Sequence, residues 1–418
     1  MARIVVLGAG TAGTIIANRL RRRLASEVRT GATTITVVDQ DDVHVYQPGL
    51  LFVPFGIYDA ADVVRPRRAQ VHDAVVYRQA PIARLFPDGH EVELEGGERL
   101  PYDVLVIATG TRIAPEETEG LTGPGWRENM FDFYTVEGAA ALGAKLAAWE
   151  GGRLVINVVE MPIKCPVAPL EFAFLADWFF TMRGIRDKVQ ITYATPLDGA
   201  FTKPTCTRVL SHLFDEKHIA LETEFNAGRA DGQAGVLASW DEREIPFDIL
   251  VSIPLHQGAA FVKATPGLGD DYGFVRTNPR TLQSELRPEI FAIGDAANLP
   301  ASKAGSVAHF EAEVLEENIV RFLEGREVQP DFDGHANCFI ETGFEKALLI
   351  DFNYETEPLP GTFPIAGIGP MKLLEESRLN HLGKMAFKWV YWHMLLPGHD
   401  IPLVGPQMSM KGKHQLNF

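Results

Sequence analysis

A short apolar run from Arg3 to Leu7 passes straight into Gly8-Ala9-Gly10-Thr11-Ala12-Gly13, and a helical pattern follows from Thr14 to Leu24. Strand, glycine turn and helix in immediate succession leave few folds open. Gly8 permits the tight turn, Gly10 lets a pyrophosphate approach bare backbone, and Gly13 lets helix and strand pack closely. The helix then points free N–H groups and the positive end of its dipole at the phosphates. A second strand, Thr34 to Val38, ends at Asp39, whose carboxylate is placed to accept hydrogen bonds from a ribose. The pattern predicts an α/β dinucleotide-binding domain with Gly8, Gly10, Ala12, Gly13 and Asp39 in the site.

The chain has 418 residues, enough for about two or three domains. A hydrophobic fraction of 46% supports a large core. A formal net charge of −16 argues against a nucleic-acid partner. Three cysteines are too few for a secreted disulfide scaffold. No run approaches the roughly 20 apolar residues that span a bilayer. The first strand begins at Arg3, so no signal peptide is expected and the chain is expected to fold in the cytoplasm. No metal site is expected.

Two later segments decide which dinucleotide is bound. Val104 to Ile107 is an apolar strand ending in Ala108-Thr109-Gly110, and Glu289 to Ile293 is another, ending in Gly294-Asp295. Both resemble motifs of the flavoproteins built from two dinucleotide-binding domains, the disulfide-reductase-like fold. The resemblance implies FAD, with Asp295 on its ribityl chain. It adds Gln40, Pro48, Ala80, Thr109, Gly110, Gly294, Lys303 and Gly305 to the cofactor site, and Lys303 to Ser306 with the helix from Val307 to Leu323 cover the flavin's pyrimidine end.

A nicotinamide-using member needs a second glycine turn after the strand Arg153 to Val159. The sequence there is Glu160-Met161-Pro162-Ile163-Lys164-Cys165, with no such turn. Bulky side chains and a proline stand where a pyrophosphate needs bare backbone, which argues for a different electron donor. Cys165 precedes an apolar helix read from Leu170 to Met182, a position that predicts a lowered thiol pKa.

At this point the chain resembles the sulfide:quinone oxidoreductases and the flavoprotein subunit of flavocytochrome c sulfide dehydrogenase. The resemblance rests on Tyr46-Gln47-Pro48, on Lys164-Cys165-Pro166 with Ala168-Pro169 and Glu171, and on Cys338-Phe339-Ile340 followed by Lys346-Ala347. It implies a redox bridge between Cys165 and Cys338 beside the flavin, with Glu171 handling protons. Sulfide would be oxidised there to polysulfide or sulfur, and electrons would pass through FAD to a quinone. The family's third, flavin-linked cysteine has no counterpart in Phe131-Asp132-Phe133-Tyr134-Thr135-Val136, so FAD is expected to be non-covalent. Two family histidines are also missing, with Gly138 and the Leu197 to Ala200 stretch in their places, which leaves Glu171, Glu160 or water for proton transfer. Cys206 matches no motif.

Residues 372–418 carry six Lys/Arg against three Asp/Glu, mixed with Leu379, Leu382, Phe387, Trp389, Tyr391 and Trp392. Such a short helix fits an amphipathic element in the membrane interface; the alternative is a helix docked on the flavin domain or at a dimer interface. The resemblance favours an anchor and places a quinone between Phe339 and Phe387, with Lys384 polarising a carbonyl. The arginines of Arg19 to Arg23 and of Arg65 to Arg68 read as solvated surface. The expected architecture is α/β: two Rossmann-like dinucleotide-binding domains with a C-terminal cap and membrane-anchoring region. Its parts are an FAD domain over 1–115 and 281–330, a second Rossmann-like domain over 116–280, and a C-terminal region over 331–418. The expected partners are sulfide, a quinone and the cytoplasmic membrane surface, with a homo-oligomer left open. The rivals are a type-II NADH:quinone oxidoreductase, a cytochrome c-linked sulfide dehydrogenase flavoprotein, and a non-enzymatic protein that FAD merely stabilises.

Overall fold

The computed structural model describes residues 1–415. Strand β1 (Ala2–Leu7) turns at Gly8 into helix α1 (Thr11–Arg23), and strands β2 (Thr33–Asp39), β3 (Val76–Gln79) and β4 (Val104–Ile107) follow. A second unit holds β5 (Met130–Phe131), α2 (Val136–Ala148), β6 (Gly152–Val158), α3 (Ala168–Met182), β7 (Val189–Ala194), α4 (Pro204–Glu216), β8 (Ile219–Glu222) and β9 (Ile249–Ile253). The chain then returns through β10 (Ile290–Ala292) and α5 (Gly305–Leu323). Two antiparallel hairpins close it, β11 (Ala336–Gly343) with β12 (Lys346–Phe352) and β13 (Gly361–Ile365) with β14 (Gly369–Leu373), before helix α6 (Arg378–Val390).

The two large sheets are parallel and of Rossmann type. The first runs β10-β4-β1-β2-β3 and the second β5-β9-β6-β7-β8. Parallel strands covered on both faces read as unbroken apolar runs, and Ile4, Val5, Val6 and Leu7 are all buried. Strand β10 joins the first sheet although almost the whole second unit lies between it and β4. Helices α1, α3 and α5 start 3, 2 and 2 residues earlier than the apolar patterns from Thr14, Leu170 and Val307 suggest. The residues gained at their starts are glycine, alanine, proline, serine or threonine, which carry no apolar periodicity.

The C-terminal segment divides at Val390. Beyond α6, Tyr391, Trp392, Leu395 and Leu396 are buried. Tyr391 Oη lies 2.7 Å from both Thr11 Oγ1 and His44 Nε2, and Asn18 donates to the Leu396 carbonyl at 2.7 Å. This part is docked on the first sheet's domain. Burying each of these large side chains contributes roughly 1.5–3 kcal/mol. Helix α6 itself leaves Leu379, Leu382 and Trp389 at least half exposed, and Ile365 and Ile368 stand out at the β13–β14 turn. Among the described residues, no helix is long and apolar enough to cross a membrane.

The arginine clusters are only partly solvated: Arg22, Arg23 and Arg68 are exposed, but others are drawn into the fold. Arg19 is buried and bridges Glu316 of α5 and Asp400, both at 2.6 Å. Arg67 pairs with Asp39 and Asp41, and Arg65 stacks 4.3 Å over the Trp392 ring. Carboxylates and an aromatic ring from distant parts of the chain collect these guanidiniums, which sequence neighbours do not reveal.

Candidate active site

The glycine turn has the shape a dinucleotide needs. Gly8 sits at φ +96°, where a Cβ would lie 2.4 Å from the Ala108 carbonyl oxygen, and a Cβ on Gly13 would lie 1.8 Å from the Gly8 oxygen. Gly10 faces open space. No side chain caps the start of α1, and no acid stands in its first turn, so its N–H groups remain for an anion. Thr109 and Thr111, just past β4, hold buried hydroxyls without a partner among the described residues. Asp39 accepts the N–H groups of Ala9 and Gln40 at 2.7 and 2.8 Å, and the Ala80 N–H donates to its carbonyl at 2.8 Å. Pro48 lies in the helical turn Gln47–Phe55.

The opposite wall comes from β10 and α5. Gly294 and Asp295 follow β10, and Lys303 donates to the Asp295 and Ala297 carbonyls at 2.8 Å each. Helix α5 opens at Gly305 with no side-chain cap. Burial pushes the Asp295 carboxyl up, while Lys303 and Lys164 pull it down. Unpaired threonine hydroxyls, an open glycine face and two uncapped helix starts fit FAD.

The start of α5 also gathers the two cysteines. The Cys165 N–H donates to the Lys303 carbonyl at 2.6 Å, and Ser306 Oγ donates to the Asn337 carbonyl, next to Cys338, at 2.7 Å. Glu171, six residues after Cys165, accepts the Glu341 N–H at 2.7 Å, three residues after Cys338. Cys165 takes φ +50°, a left-handed conformation that is uncommon for a side-chain-bearing residue. Both cysteines are free thiols and half-buried. They lie close enough for charge on Cys165 to raise the Cys338 pKa.

The lowered thiol pKa expected for Cys165 is overturned. Burial pushes its thiol up to about 12, and the Glu171 carboxylate adds to this. The N–H of Ala168, at the first turn of α3, donates to the Cys165 carbonyl at 2.9 Å, and its pull on the thiol is smaller than the push from burial. Burial also raises Cys338, with Cys165, Glu171 and Cys206 adding to it and Lys384 opposing. Cys206, buried in α4, is likewise pushed up to about 12.

Glu171 and Lys384 form a buried ion pair. Lys384 also donates to the Phe339 carbonyl at 3.2 Å. A Cβ on Gly383 would lie 3.0 Å from the Phe339 ring, so this glycine lets α6 approach β11. Phe387 follows one turn later, partly buried against the core. The proton group offered by Glu160 is elsewhere: its side chain is exposed and accepts from the Tyr272 hydroxyl at 2.7 Å.

Four side chains at the site carry no sequence motif. Tyr134 donates to the Cys165 carbonyl at 3.3 Å. His256 packs edge-on against Tyr134 with ring centres 5.4 Å apart. Its Nδ1 lies 3.0 Å from the Pro254 carbonyl, and its buried Nε2 has no partner among the described residues. Burial, with Lys164 and Lys303, holds its pKa down to about 3, so the ring is neutral. The Glu341 carboxylate meets His381 and feels the Lys384 charge, and its own N–H reaches Glu171.

Known proteins are similar to this chain over most of its length. Residues 2–157 match the family model described as pyridine nucleotide-disulphide oxidoreductase. The mitochondrial sulfide:quinone oxidoreductase of Mus musculus is 26% identical over 95% of this chain and 86% of its own length. The type II NADH:quinone oxidoreductase of Haemophilus influenzae is 23% identical over 78% of this chain and 82% of its own. The structure of the sulfide:quinone oxidoreductase from Aquifex aeolicus superposes with a TM-score of 0.79 at 21% identity, covering 96% of this chain and 92% of that one. The chain is similar to the sulfide:quinone oxidoreductases in sequence and shares their fold.

Proposed function

We propose that this chain is a sulfide:quinone oxidoreductase, oxidising sulfide at a Cys165–Cys338 bridge with FAD as the electron carrier and a membrane quinone as acceptor. The observation that carries this reading is the meeting of two thiols, a buried carboxylate and a lysine just after β6, where the second dinucleotide fold lacks its glycine turn. The segment that would hold a nicotinamide cofactor instead bridges Lys164 to Lys303 and presents Cys165.

FAD supplies two-electron transfer between sulfur and quinone when bound. Gly8, Gly10, Asp39, Thr109, Asp295 and the Lys303 to Gly305 segment would hold it without a covalent link, since the Phe131 to Val136 stretch carries no cysteine. Loss of two electrons and two protons, with quinone as final acceptor, joins the thiols as the bridge. Hydrosulfide attacks one bridge sulfur and the S–S bond breaks; the attacked residue becomes a persulfide and the other leaves as a thiolate. Burial and Glu171 destabilise that thiolate, while Lys384 favours it. The thiolate is therefore a strong electron donor and Glu171 a nearby proton acceptor. Further sulfide lengthens the chain until sulfur leaves as polysulfide. Phe339 and Phe387 enclose the quinone ring, and Lys384 donates to a quinone oxygen. The exposed Leu379, Leu382 and Trp389 lay α6 in the membrane interface.

An anaerobic titration tests the reading. Sulfide is expected to bleach the flavin, NADH to leave it oxidised, and added quinone to restore the colour. Bleaching by NADH but not by sulfide would move the chain to the NADH:quinone class.

A further inference from the structure

Glu171, Lys384, Glu341 and His381 form one connected cluster running from the thiols to the surface. Glu171 and Glu341 are each 1% exposed, whereas the His381 side chain is 22% exposed. His381 Nδ1 lies 3.1 and 3.0 Å from the two Glu341 carboxylate oxygens. His381 and Lys384 are three residues apart on α6 and so share one face of the helix. Lys384 binds Glu171 and is electrostatically coupled to Glu341. Burial raises the pKa of both carboxyls. Two buried carboxylates on one ammonium leave an excess negative charge that favours taking up a proton.

The charged groups around His381 are otherwise paired: Arg378 with Glu345, Lys346 with Glu376, and Lys372 with Glu375. Tyr58, under Lys388, also faces Lys384 and Glu341. The partner left for His381 is Glu341.

The proposed reaction needs such a route. Hydrosulfide, one proton and quinone give sulfur and quinol; two electrons pass from sulfur to quinone, hydrosulfide supplies one of the two protons, and solvent supplies the other. We propose that His381 and Glu341 are the proton-entry arm of the quinone half-reaction, reprotonating Lys384 after it gives its proton to the reduced quinone oxygen. The proton passes from solvent to His381, from His381 Nδ1 to Glu341, and from Glu341 to Lys384. The two residues act through Lys384 and are positioning residues. This inference rests on the function proposed above.

The test uses the FAD-loaded enzyme in stopped flow, with the half-reactions separated. In His381→Ala, sulfide is expected to bleach the flavin at the parent rate, while reoxidation by quinone slows about 10-fold or more. Added imidazole restores the rate, and the solvent isotope effect on reoxidation increases. Glu341→Gln is expected to slow the same step without imidazole rescue, and Glu341→Asp to recover much of it. Parent-rate reoxidation in His381→Ala, or equal slowing of both half-reactions without rescue, overturns the inference. A parent enzyme whose flavin sulfide does not bleach overturns the proposed function instead.

Discussion

A thiol that must become a thiolate and a carboxylate that resists ionising share one buried wall in Cys165 and Glu171. Each disfavours charge on the other, so electrons and protons are expected to leave the site together. The residue-scale prediction concerns the sulfurs. Cys165→Ser and Cys338→Ser should each keep the bound flavin and its spectrum but lose sulfide-driven bleaching by several orders of magnitude, because an alkoxyl oxygen cannot take part in thiol–disulfide exchange. Stopped-flow absorbance checks this, and intact bleaching in either variant rules out the bridge. Cys165 was conspicuous in the sequence because it replaces a glycine turn. Tyr134 and His256 were not, since neither belongs to a motif and their meeting depends on how β9 ends beside β5.

At the scale of elements, the C-terminal segment is two things in succession. Residues 391–396 are fastened to the first domain by Tyr391, whose hydrogen bond to Thr11 joins residues 380 apart. Helix α6 presents exposed Leu379, Leu382 and Trp389. The sequence showed one amphipathic stretch, because mixed aromatic and basic residues suit a membrane face and a docked face equally. Replacing Leu379, Leu382 and Trp389 together by Glu is expected to abolish co-sedimentation with anionic lipid vesicles. Sulfide bleaching in solution should be unchanged, since exposed positions cost little stability. Vesicle binding that survives the triple change refutes α6 as the anchor.

For the whole molecule, the buried acid Glu311 links stability to pH. It accepts the Gly294 N–H, and burial pushes its carboxyl up to about 8 from an ordinary value of 4.5. The folded state therefore holds this proton more tightly than the unfolded chain. The stabilisation is complete below about 4.5 and is lost as pH rises through about 8, by on the order of a few kcal/mol. Melting temperatures between pH 6 and 10 are expected to fall in the parent and to fall less steeply in Glu311→Gln. Equal slopes would mean that Glu311 does not hold its proton.

The first domain was legible because its constraints are local. A turn at φ +96° needs glycine at residue 8, and an apolar run ending in an acid declares itself within about 40 residues. The missing glycine turn after the intact strand β6 was legible for the same reason. By itself, then, the sequence determined a two-sheet flavin-binding fold and its conspicuous cysteines. Tertiary structure alone decided the protonation of the site. Burial, not position before a helix, governs the Cys165 thiol, and an ion pair between residues 213 apart joins Glu171 to Lys384. Desolvation and charge pairing depend on what surrounds a group in space, and no local pattern of residues records that.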